Sequence, residues 1–352
     1  MTSSRSGEPD EAPIWQAVDG LLERASVEGV LAHKLGALAA RRLRRRDEPV
    51  PPELQAEEQL ARAAFLTAIP LLGRIRECAG GPLVVIKGPE VASLDPGRAR
   101  SFVDLDLLTV DGRAVHAALV QAGFVEVDDP ELFRDHHHLR PLQVPGLWLK
   151  VEIHLRPMLP DGVVSPPIDE IIEAALPSAT GVDGISGPHP VHHALMLAAH
   201  GWVHEPLHTL RDLVDVAAVA AQADETELAA TARAWGIERI WRTTERASRA
   251  LLGGGDTTAA LRLFGRHLTG VRERTVFDNH LQRWLHSFWE LPFHRALLAT
   301  GTAFEQALLP EPGESWREKL VRVRHAVLHP GSAMSSHTAD WRRDVDRQRL
   351  DR

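Results

Sequence analysis

The sequence predicts an α+β protein in which a small α/β unit lies between N-terminal helices and a larger C-terminal helical region. Three observations predict this fold class. Apolar residues recur at spacings of three and four over residues 13–79, which is typical of amphipathic helices. Short β-branched and alternating apolar runs occur within residues 80–160, which is typical of strands. Helical patterning returns at about residue 165 and continues to about residue 330.

The 352 residues divide into five segments. Residues 1–12 predict a disordered tail, because they are polar and lack hydrophobic periodicity, and residues 331–352 predict a weakly ordered one. Between the tails we expect an N-terminal helical segment, an α/β core and a C-terminal helical domain, at residues 13–79, 80–160 and 161–330. Within the first of these we expect helices over residues 14–25, 30–43 and 54–78.

The α/β core carries recognisable strand and turn signals. Residues 83–86 form a β-branched run, and residues 103–110 form a second apolar run that ends at a turn. A helix is expected over 113–122, because Gly123 follows it. Two further runs, 137–144 and 147–155, predict a β-hairpin joined by Pro145 and Gly146.

Composition excludes several classes of function. The net charge is −8, which argues against an extended nucleic-acid-binding surface but leaves room for a local basic pocket. Cys78 is the single cysteine, so no intrachain disulfide can form. The N-terminus lacks a secretory pattern, and no apolar run is long enough to span a membrane. We therefore expect a cytoplasmic protein with no membrane partner.

Two acids on the second strand form the first informative motif. Asp104 and Asp106 are two residues apart, so both carboxylates lie on one face of a strand, and Val103, Leu105 and Leu107 are expected to pack into the core. Adjacent carboxylates on an apolar strand repel each other, and a hard divalent cation relieves that repulsion. The alternative is a pair of solvated acids on an edge strand.

A third acid lies on the alternating strand at 147–155. One face of this strand is apolar and the other carries Glu152. The apolar face consists of Leu147, Leu149, Val151, Ile153 and Leu155, and the opposite face of Trp148, Lys150, Glu152 and His154. A solvent-facing strand would have the same pattern. A third carboxylate on a neighbouring strand is nevertheless what a two-metal phosphoryl-transfer site requires, because three carboxylates supply ligands for two ions.

Taken together, these motifs resemble a known family. The run Ile86-Lys87-Gly88, the pattern Arg100-x-x-x-Asp104-Leu-Asp106-Leu-Leu, a helix ending at Gly123-Phe124, and Val151-Glu152-Ile153-His154 occur in this order. They resemble an uncharacterised, bacterial-type nucleotidyltransferase family of the DNA polymerase beta-like superfamily. The resemblance covers roughly residues 15–225. It implies a small mixed β-sheet as the nucleotidyltransferase core, with Asp104, Asp106 and Glu152 as catalytic metal ligands.

The resemblance also implies where the triphosphate binds. Lys87 and Gly88 occupy the position at which the wider superfamily has a Gly-Ser turn that cradles phosphates. Here the serine is absent, and Pro89 and Glu90 follow. Lys87 could meet a phosphate as a point charge, and Arg100 could do the same. The alternative for Arg100 is a salt bridge to a nearby carboxylate.

Two more residues share the face of Glu152. Lys150 could neutralise phosphate, and His154 could orient the Glu152 carboxylate or contact a phosphate. Three histidines at 136–138 open the hairpin, and one of them could reach the nucleotide or the acceptor. Polar residues at the start of a strand explain the same run equally well.

These residues predict an enzyme that moves a nucleoside monophosphate from a nucleoside triphosphate (NTP) such as ATP to an acceptor hydroxyl, with release of pyrophosphate. Mg²⁺ or Mn²⁺ is the expected cofactor and the NTP is the co-substrate. The acceptor is a small molecule, a peptide or a protein, and the sequence does not distinguish among them. The alternative is a catalytically inactive nucleotide-binding or scaffold protein on the same fold, because the serine of the phosphate turn is absent.

Overall fold

The structure, a computed structural model, describes residues 13–128, 136–160, 163–291, 293–310 and 314–328. The tails expected at 1–12 and 331–352 lie outside the described residues. The α+β class and a mixed sheet flanked by helices are confirmed.

Four helices precede the sheet. They are α1 Pro13–Leu22, α2 Val27–Ala32, α3 Gly36–Arg45 and α4 Pro52–Cys78. The single helix expected over 30–43 is therefore two helices. Lys34 adopts a φ of +56° after α2, and the amide of Leu35 donates to the carbonyl of Val30, so the chain turns out of the helix before α3 begins.

Seven short strands form one mixed sheet. They are β1 Leu83–Val85, β2 Asp104–Leu108, β3 Val125–Glu126, β4 Leu142–Gln143, β5 Lys150–His154, β6 Leu176–Pro177 and β7 Ile185–Gly187. Their order is β3-β4-β5-β2-β1-β7-β6. The pairs β2–β5 and β1–β7 are parallel, and the other neighbours are antiparallel. The expected hairpin is present as the shorter pair β4 and β5.

Two strands lie in a segment that was expected to be helical. The pair β6 and β7 extends the sheet beyond residue 160, and β7 pairs in parallel with β1. The prediction of helix alone from residue 165 onward was wrong here. Strands of two and three residues are too short for alternation to distinguish them from a loop rich in proline and glycine.

The connections and the C-terminal region are helical. Between strands lie α5 Pro89–Ala92, α6 Gly112–Gln121 and α7 Ile168–Glu173. After β7 follow α8 Pro190–His204, α9 Leu210–Ala220, α10 Glu225–Ala234, α11 Glu238–Leu252, α12 Ala259–Phe264, α13 Arg266–Thr269, α14 Val276–Leu285, α15 Ser287–Glu290, α16 Phe293–Leu308 and α17 Trp316–Leu328. None of the described helices combines the length and apolarity needed to cross a membrane.

Both faces of the sheet are packed against helices. One face, with Leu105, Leu107 and Ile153, packs in a cluster with residues of α4 and α6. The other face, with Val84 and Leu108, packs in a cluster with residues of α8. The even-numbered acids of β2 are on this second face, so α8 lies on the side of the sheet where the candidate site forms.

Val103 does not pack into the core as expected, because its side chain is 57% exposed. The strand begins one residue later, at Asp104. Leu105 and Leu107 are fully buried, as the alternation of the strand predicts.

Candidate metal centre

The register of the two central parallel strands brings the predicted acids together. Asp106 of β2 lies opposite Glu152 of β5, and Asp104 lies opposite Lys150. Because alternate residues share a face, Asp104, Asp106 and Glu152 all project to the side of α8. Asp106 is buried, whereas Asp104 and Glu152 are partly exposed. The arrangement offers carboxylate oxygens from two neighbouring strands at one position on the sheet.

His154 contacts the acid on the neighbouring strand. Its Nε2 atom lies 2.9 Å from Oδ1 of Asp106 and 3.9 Å from Oε2 of Glu152. We expected His154 to orient Glu152, whereas its hydrogen bond is made to Asp106. These three residues form a group whose ligand atoms all lie within 4.8 Å of one another. Together they form a mixed oxygen and nitrogen ligand set.

A second histidine, from the run at 136–138 that was weighed as a contact to the nucleotide or the acceptor, approaches the same acids. Nε2 of His138 lies 3.6 Å from Oε2 of Glu152, and an isolated β-bridge pairs His138 with His154. Only the run of three histidines at 136–138 marked this segment in the sequence. That run could not show which ring turns toward the sheet. The third histidine, which is buried, approaches Glu152, and the ring of His137 also lies 5.1 Å from that of His154.

Burial and neighbouring charges shift the pKa values of the three acids. Burial, together with the nearby charges of Asp106 and Asp104, raises the pKa of Glu152 to about 8. Burial and Asp106 raise the pKa of Asp104 to about 6. Burial alone would also raise the pKa of Asp106, but the Lys87 ammonium and the hydrogen bond from His154 lower it below its usual range. Ionising all three acids is unfavourable because their negative charges repel, and a bound cation would relieve that repulsion.

Unpaired buried atoms support the same conclusion. Oδ2 of Asp106 and Nδ1 of His154 are buried and have no hydrogen-bond partner among the described residues. A buried carboxylate oxygen without a partner is destabilising unless a proton or a cation satisfies it. The residues present therefore fit a divalent ion, with Asp106, Glu152 and His154 as candidate ligands and Asp104 on the same face of the sheet.

Lys87 and Gly88 form the turn between β1 and α5. Burial lowers the pKa of Lys87, while the charges of Asp106 and Asp104 act in the opposite direction. Gly88 has a φ of +60°, and a Cβ atom there would lie 3.0 Å from the backbone oxygen of Asp104. Glycine is therefore required where this turn passes β2, and the turn brings the lysine close to the acids.

The other two predicted phosphate contacts are engaged elsewhere in the protein. Nε of Arg100 donates to Oδ2 of Asp215 at 3.0 Å, which is the salt bridge weighed above as the alternative. Nζ of Lys150 lies 2.6 Å from Oδ2 of Asp128 at the exposed edge of the site. A contact between either side chain and phosphate stays a prediction.

A shallow apolar recess adjoins the acids. Ile86, Lys87 and His154 line it from the sheet, and Met158, Met196 and His200 line the remainder. His200 belongs to α8, so the helix that covers this face of the sheet also contributes to the wall of the recess. The volume of the recess is about 10 Å³, which is close to that of a single water site.

Comparisons with known proteins do not assign the chain. No family model, no curated protein and no solved structure matches it.

Proposed function

We propose that the protein is a metal-dependent nucleotidyltransferase, which moves a nucleoside monophosphate from an NTP to an acceptor hydroxyl with release of pyrophosphate. One observation carries the proposal. Asp106 and Glu152 lie in register on adjacent parallel strands, with Asp104 on the same face. The resemblance of the sequence motifs to an uncharacterised nucleotidyltransferase family supports the proposal and stays a prediction.

The side chains divide the tasks by position. Asp104, Asp106 and Glu152 would hold the Mg²⁺ or Mn²⁺ ions. Such ions, when bound, neutralise the triphosphate and lower the pKa of an attacking hydroxyl. Lys87 lies beside the acids and supplies positive charge for a β- or γ-phosphate. Most of the catalysis would come from positioning and charge neutralisation, because phosphoryl transfer needs little covalent chemistry from the protein.

Water exclusion is the second contribution of the fold. The acids lie between the buried interior of the sheet and α8, and Asp106 is 4% exposed. A low-dielectric environment strengthens the attraction between cations and phosphate oxygens. His154 holds Oδ1 of Asp106 in place through its hydrogen bond, so the carboxylate keeps a fixed orientation before the substrate arrives.

One observation favours a second candidate function, a nucleotide-binding or scaffold protein without turnover. The helix after the phosphate turn begins at Pro89, which has no backbone N–H, and no serine follows Gly88. This turn offers fewer donors to a triphosphate than a Gly-Ser turn does. A site of this kind could bind a nucleotide and still fail to orient its α-phosphorus for attack.

Calorimetric titration of each of the four NTPs, with and without Mg²⁺ or Mn²⁺, tests the proposal without knowledge of the acceptor. We expect metal-dependent binding of at least one NTP, and loss of that binding in the double variant Asp104→Asn/Asp106→Asn. The matched control is Asp128→Asn, because Asp128 pairs with Lys150 at the edge of the site. Binding that is equal in the double variant and the wild type would overturn the assignment.

A second measurement separates the two candidate functions. Labelled NTP is incubated with the protein and a cell lysate, and both pyrophosphate release and labelled products are followed. Release of pyrophosphate supports the transferase, and the label then appears in a protein band or in small molecules. Nucleotide binding without any release of pyrophosphate supports the scaffold function.

A further inference from the structure

Four candidate ligand atoms lie near one another in the site, and three of their six separations are known. Nε2 of His154 lies 2.9 Å from Oδ1 of Asp106 and 3.9 Å from Oε2 of Glu152, and Nε2 of His138 lies 3.6 Å from the same Glu152 oxygen. Two ligands about 2.1 Å from a common ion, at angles of about 90–110°, are separated by about 3.0–3.4 Å. One observed separation lies just below this range and two lie above it, so the side chains would have to rotate to enclose one ion. Asp106, Glu152 and His154 form the group of ligand atoms within 4.8 Å, and His138 approaches it at Glu152.

The tautomer of His138 is set by its backbone partner. Nδ1 of His138 lies 2.8 Å from the carbonyl oxygen of Leu139. A carbonyl oxygen can only accept, so Nδ1 carries the hydrogen and Nε2 of the neutral ring carries the lone pair. Metal-binding histidines commonly donate their other ring nitrogen to a carbonyl in this way. His138 therefore presents its ligand nitrogen toward Glu152.

His154 must move its proton from Nε2 to Nδ1 before Nε2 can bind an ion. Its Nε2 donates to Asp106, and its Nδ1 is buried without a hydrogen-bond partner among the described residues. Moving the proton from Nε2 to Nδ1 breaks only the bond to Asp106. An ion that binds both Nε2 and the Asp106 carboxylate would replace that bond. Both histidines can thus present a nitrogen lone pair on the same side as the two acids.

We propose that His138 and His154 join Asp106 and Glu152 in coordinating one divalent ion, and that the site therefore selects a first-row transition ion such as Mn²⁺ over Mg²⁺. The inference rests on the proposed function, since it specifies the ion held by the same acids. Mg²⁺ prefers oxygen ligands in a near-octahedral shell that retains several waters. Imidazole nitrogen is a ligand for transition ions, whose affinity for mixed nitrogen and oxygen sites exceeds that of Mg²⁺.

Electron paramagnetic resonance of the Mn²⁺-loaded full-length protein tests the ligand set. Pulsed measurements detect hyperfine coupling between Mn²⁺ and directly bound imidazole ¹⁴N. We expect this coupling in the wild type, and we expect a weaker coupling in His138→Gln and in His154→Gln. The control is His192→Gln, because the neighbours of His192 are Glu170 and Trp235 rather than the acids. Absence of ¹⁴N coupling in the wild type would overturn the proposal.

Competition between ions tests the selectivity. We expect displacement of half the bound Mn²⁺ to require at least about tenfold more Mg²⁺ than Mn²⁺. His138→Gln should weaken Mn²⁺ binding about tenfold or more, while Mg²⁺ binding changes less than about twofold. Equal affinities for both ions in the wild type contradict the proposal. Circular dichroism shows whether His138→Gln and His154→Gln fold. If neither variant folds, the ¹⁴N coupling in the wild type alone shows whether histidine binds the ion.

NTP titration in Mg²⁺ keeps this inference separate from the proposed function. Nucleotide binding without ¹⁴N coupling would leave the proposed function standing and refute the histidine ligands. Coupling to ¹⁴N without binding of any NTP would establish the histidine-containing metal site and count against nucleotidyl transfer.

Discussion

Oδ1 of Asp106 accepts a hydrogen bond from Nε2 of His154 at 2.9 Å, although the strand register places Glu152 directly opposite Asp106. The contact is diagonal across two parallel strands, and it joins residues 48 positions apart in the chain. It holds one carboxylate oxygen in place while the other oxygen, Oδ2, is buried without a partner among the described residues. The protein thus preorganises an acid that is only half satisfied.

Replacing Asp106 should abolish the stabilisation of the folded protein by a bound ion. In Asp106→Asn, the amide oxygen can still accept from His154, and the repulsion with Asp104 and Glu152 is reduced. The buried Lys87 ammonium and His154 stabilise the ionised form of Asp106, so we expect the metal-free variant to fold but to melt at a lower temperature than the wild type. We also expect Mn²⁺ to raise the melting temperature of the wild type but not of the variant, because only ion binding to the folded state stabilises it.

Scanning fluorimetry with and without Mn²⁺ makes this measurement. Asp128→Asn, at the exposed edge of the site, should retain the Mn²⁺-dependent increase. Pyrophosphate release should fall by several orders of magnitude in Asp106→Asn. Wild-type turnover in this variant would show that Asp106 is not a metal ligand.

Lys87 and Lys150 provide a matched pair for phosphate binding. Lys87 lies beside Asp104 and Asp106, whereas the ammonium of Lys150 is held by Asp128. Lys87→Met should weaken NTP binding at least about tenfold, which corresponds to about 1.4 kcal/mol. Lys150→Met should weaken it less than about threefold in the same calorimetric titration. Equal losses for both variants would show that the turn after β1 has no special role.

Gly88 should be intolerant of a side chain. Its φ of +60° is in the left-handed region, and a Cβ atom would lie 3.0 Å from the backbone oxygen of Asp104. We expect Gly88→Ala to lower the free energy of unfolding by about 1–3 kcal/mol. Gly80→Ala is the control, because nothing lies within 4 Å of a Cβ atom there and its φ is not positive. Urea denaturation followed by tryptophan fluorescence compares the two, and similar losses would contradict the strain argument.

Arg211 should be a strong determinant of stability. Its Nη1 atom lies 2.6 Å from Oδ2 of Asp95 and 3.3 Å from Oδ1 of Asp215, and all three residues are buried. Arg211→Met leaves the buried carboxylate of Asp95 without its paired cation, while Asp215 keeps its salt bridge to Arg100. We therefore expect a loss of about 3–5 kcal/mol in the free energy of unfolding.

The control for this prediction is Arg249→Met. Arg249 makes an exposed salt bridge to Glu225 at 2.7 Å, and loss of such a pair changes stability by less than about 1 kcal/mol. Adding Asp95→Asn to Arg211→Met should restore part of the stability, because one uncompensated charge is removed. Chemical denaturation measures the free energy of unfolding of the three variants. An Arg211→Met variant as stable as Arg249→Met would contradict the prediction.

His33 should make the folded state sensitive to acid. Burial lowers its pKa from about 6.5 to about 4, and its Nδ1 accepts from the amide of Leu210, which ties α2 to α9. Because the unfolded chain binds the proton more readily, the contribution of His33 to stability is complete above about pH 6.5. It is lost progressively as the pH falls from 6.5 toward 4.

Denaturation at pH 7.5 and pH 5.5 measures this effect. The wild type should lose about 1 kcal/mol between these pH values through His33 alone. His33→Gln should show a correspondingly smaller loss over the same interval, whatever its absolute stability. His193 and His267 act in the same direction, because burial lowers their pKa to about 4 and about 3. An unchanged pH dependence in His33→Gln would show that its ring is not buried in the neutral form.

Alternation along single strands was readable from the sequence. The pattern at 147–155 predicted one apolar face. Its central residues Leu149, Val151 and Ile153 are buried, whereas Leu147 and Leu155 at its ends are only partly buried. The same reasoning placed Asp104 and Asp106 on one face, and the parallel register then brought Glu152 beside them. Local periodicity is sufficient for such predictions, because the side-chain direction repeats every two residues.

Contacts between distant segments of the chain could not be predicted from the sequence. Arg100 meets Asp215 from 115 residues away, and the ring of His138 approaches Glu152 from an irregular segment before β4. Such partners depend on how helices and loops pack rather than on local pattern. The predicted burial of Val103 was wrong for a related reason. The first residue of a strand is set by pairing with neighbouring strands, which the local sequence does not show.

The parallel pairing of β1 with β7 has a consequence for dissecting the protein. Leu83 lies opposite Ile185, so one edge of the strand that leads to Lys87 is hydrogen-bonded to β7, which lies far downstream in the chain. A fragment cut after residue 160 would leave β1 as an open edge whose backbone groups could pair with another molecule, and such edges promote aggregation. A shortened form intended to stay monomeric should therefore extend through β7 and the helix that follows it.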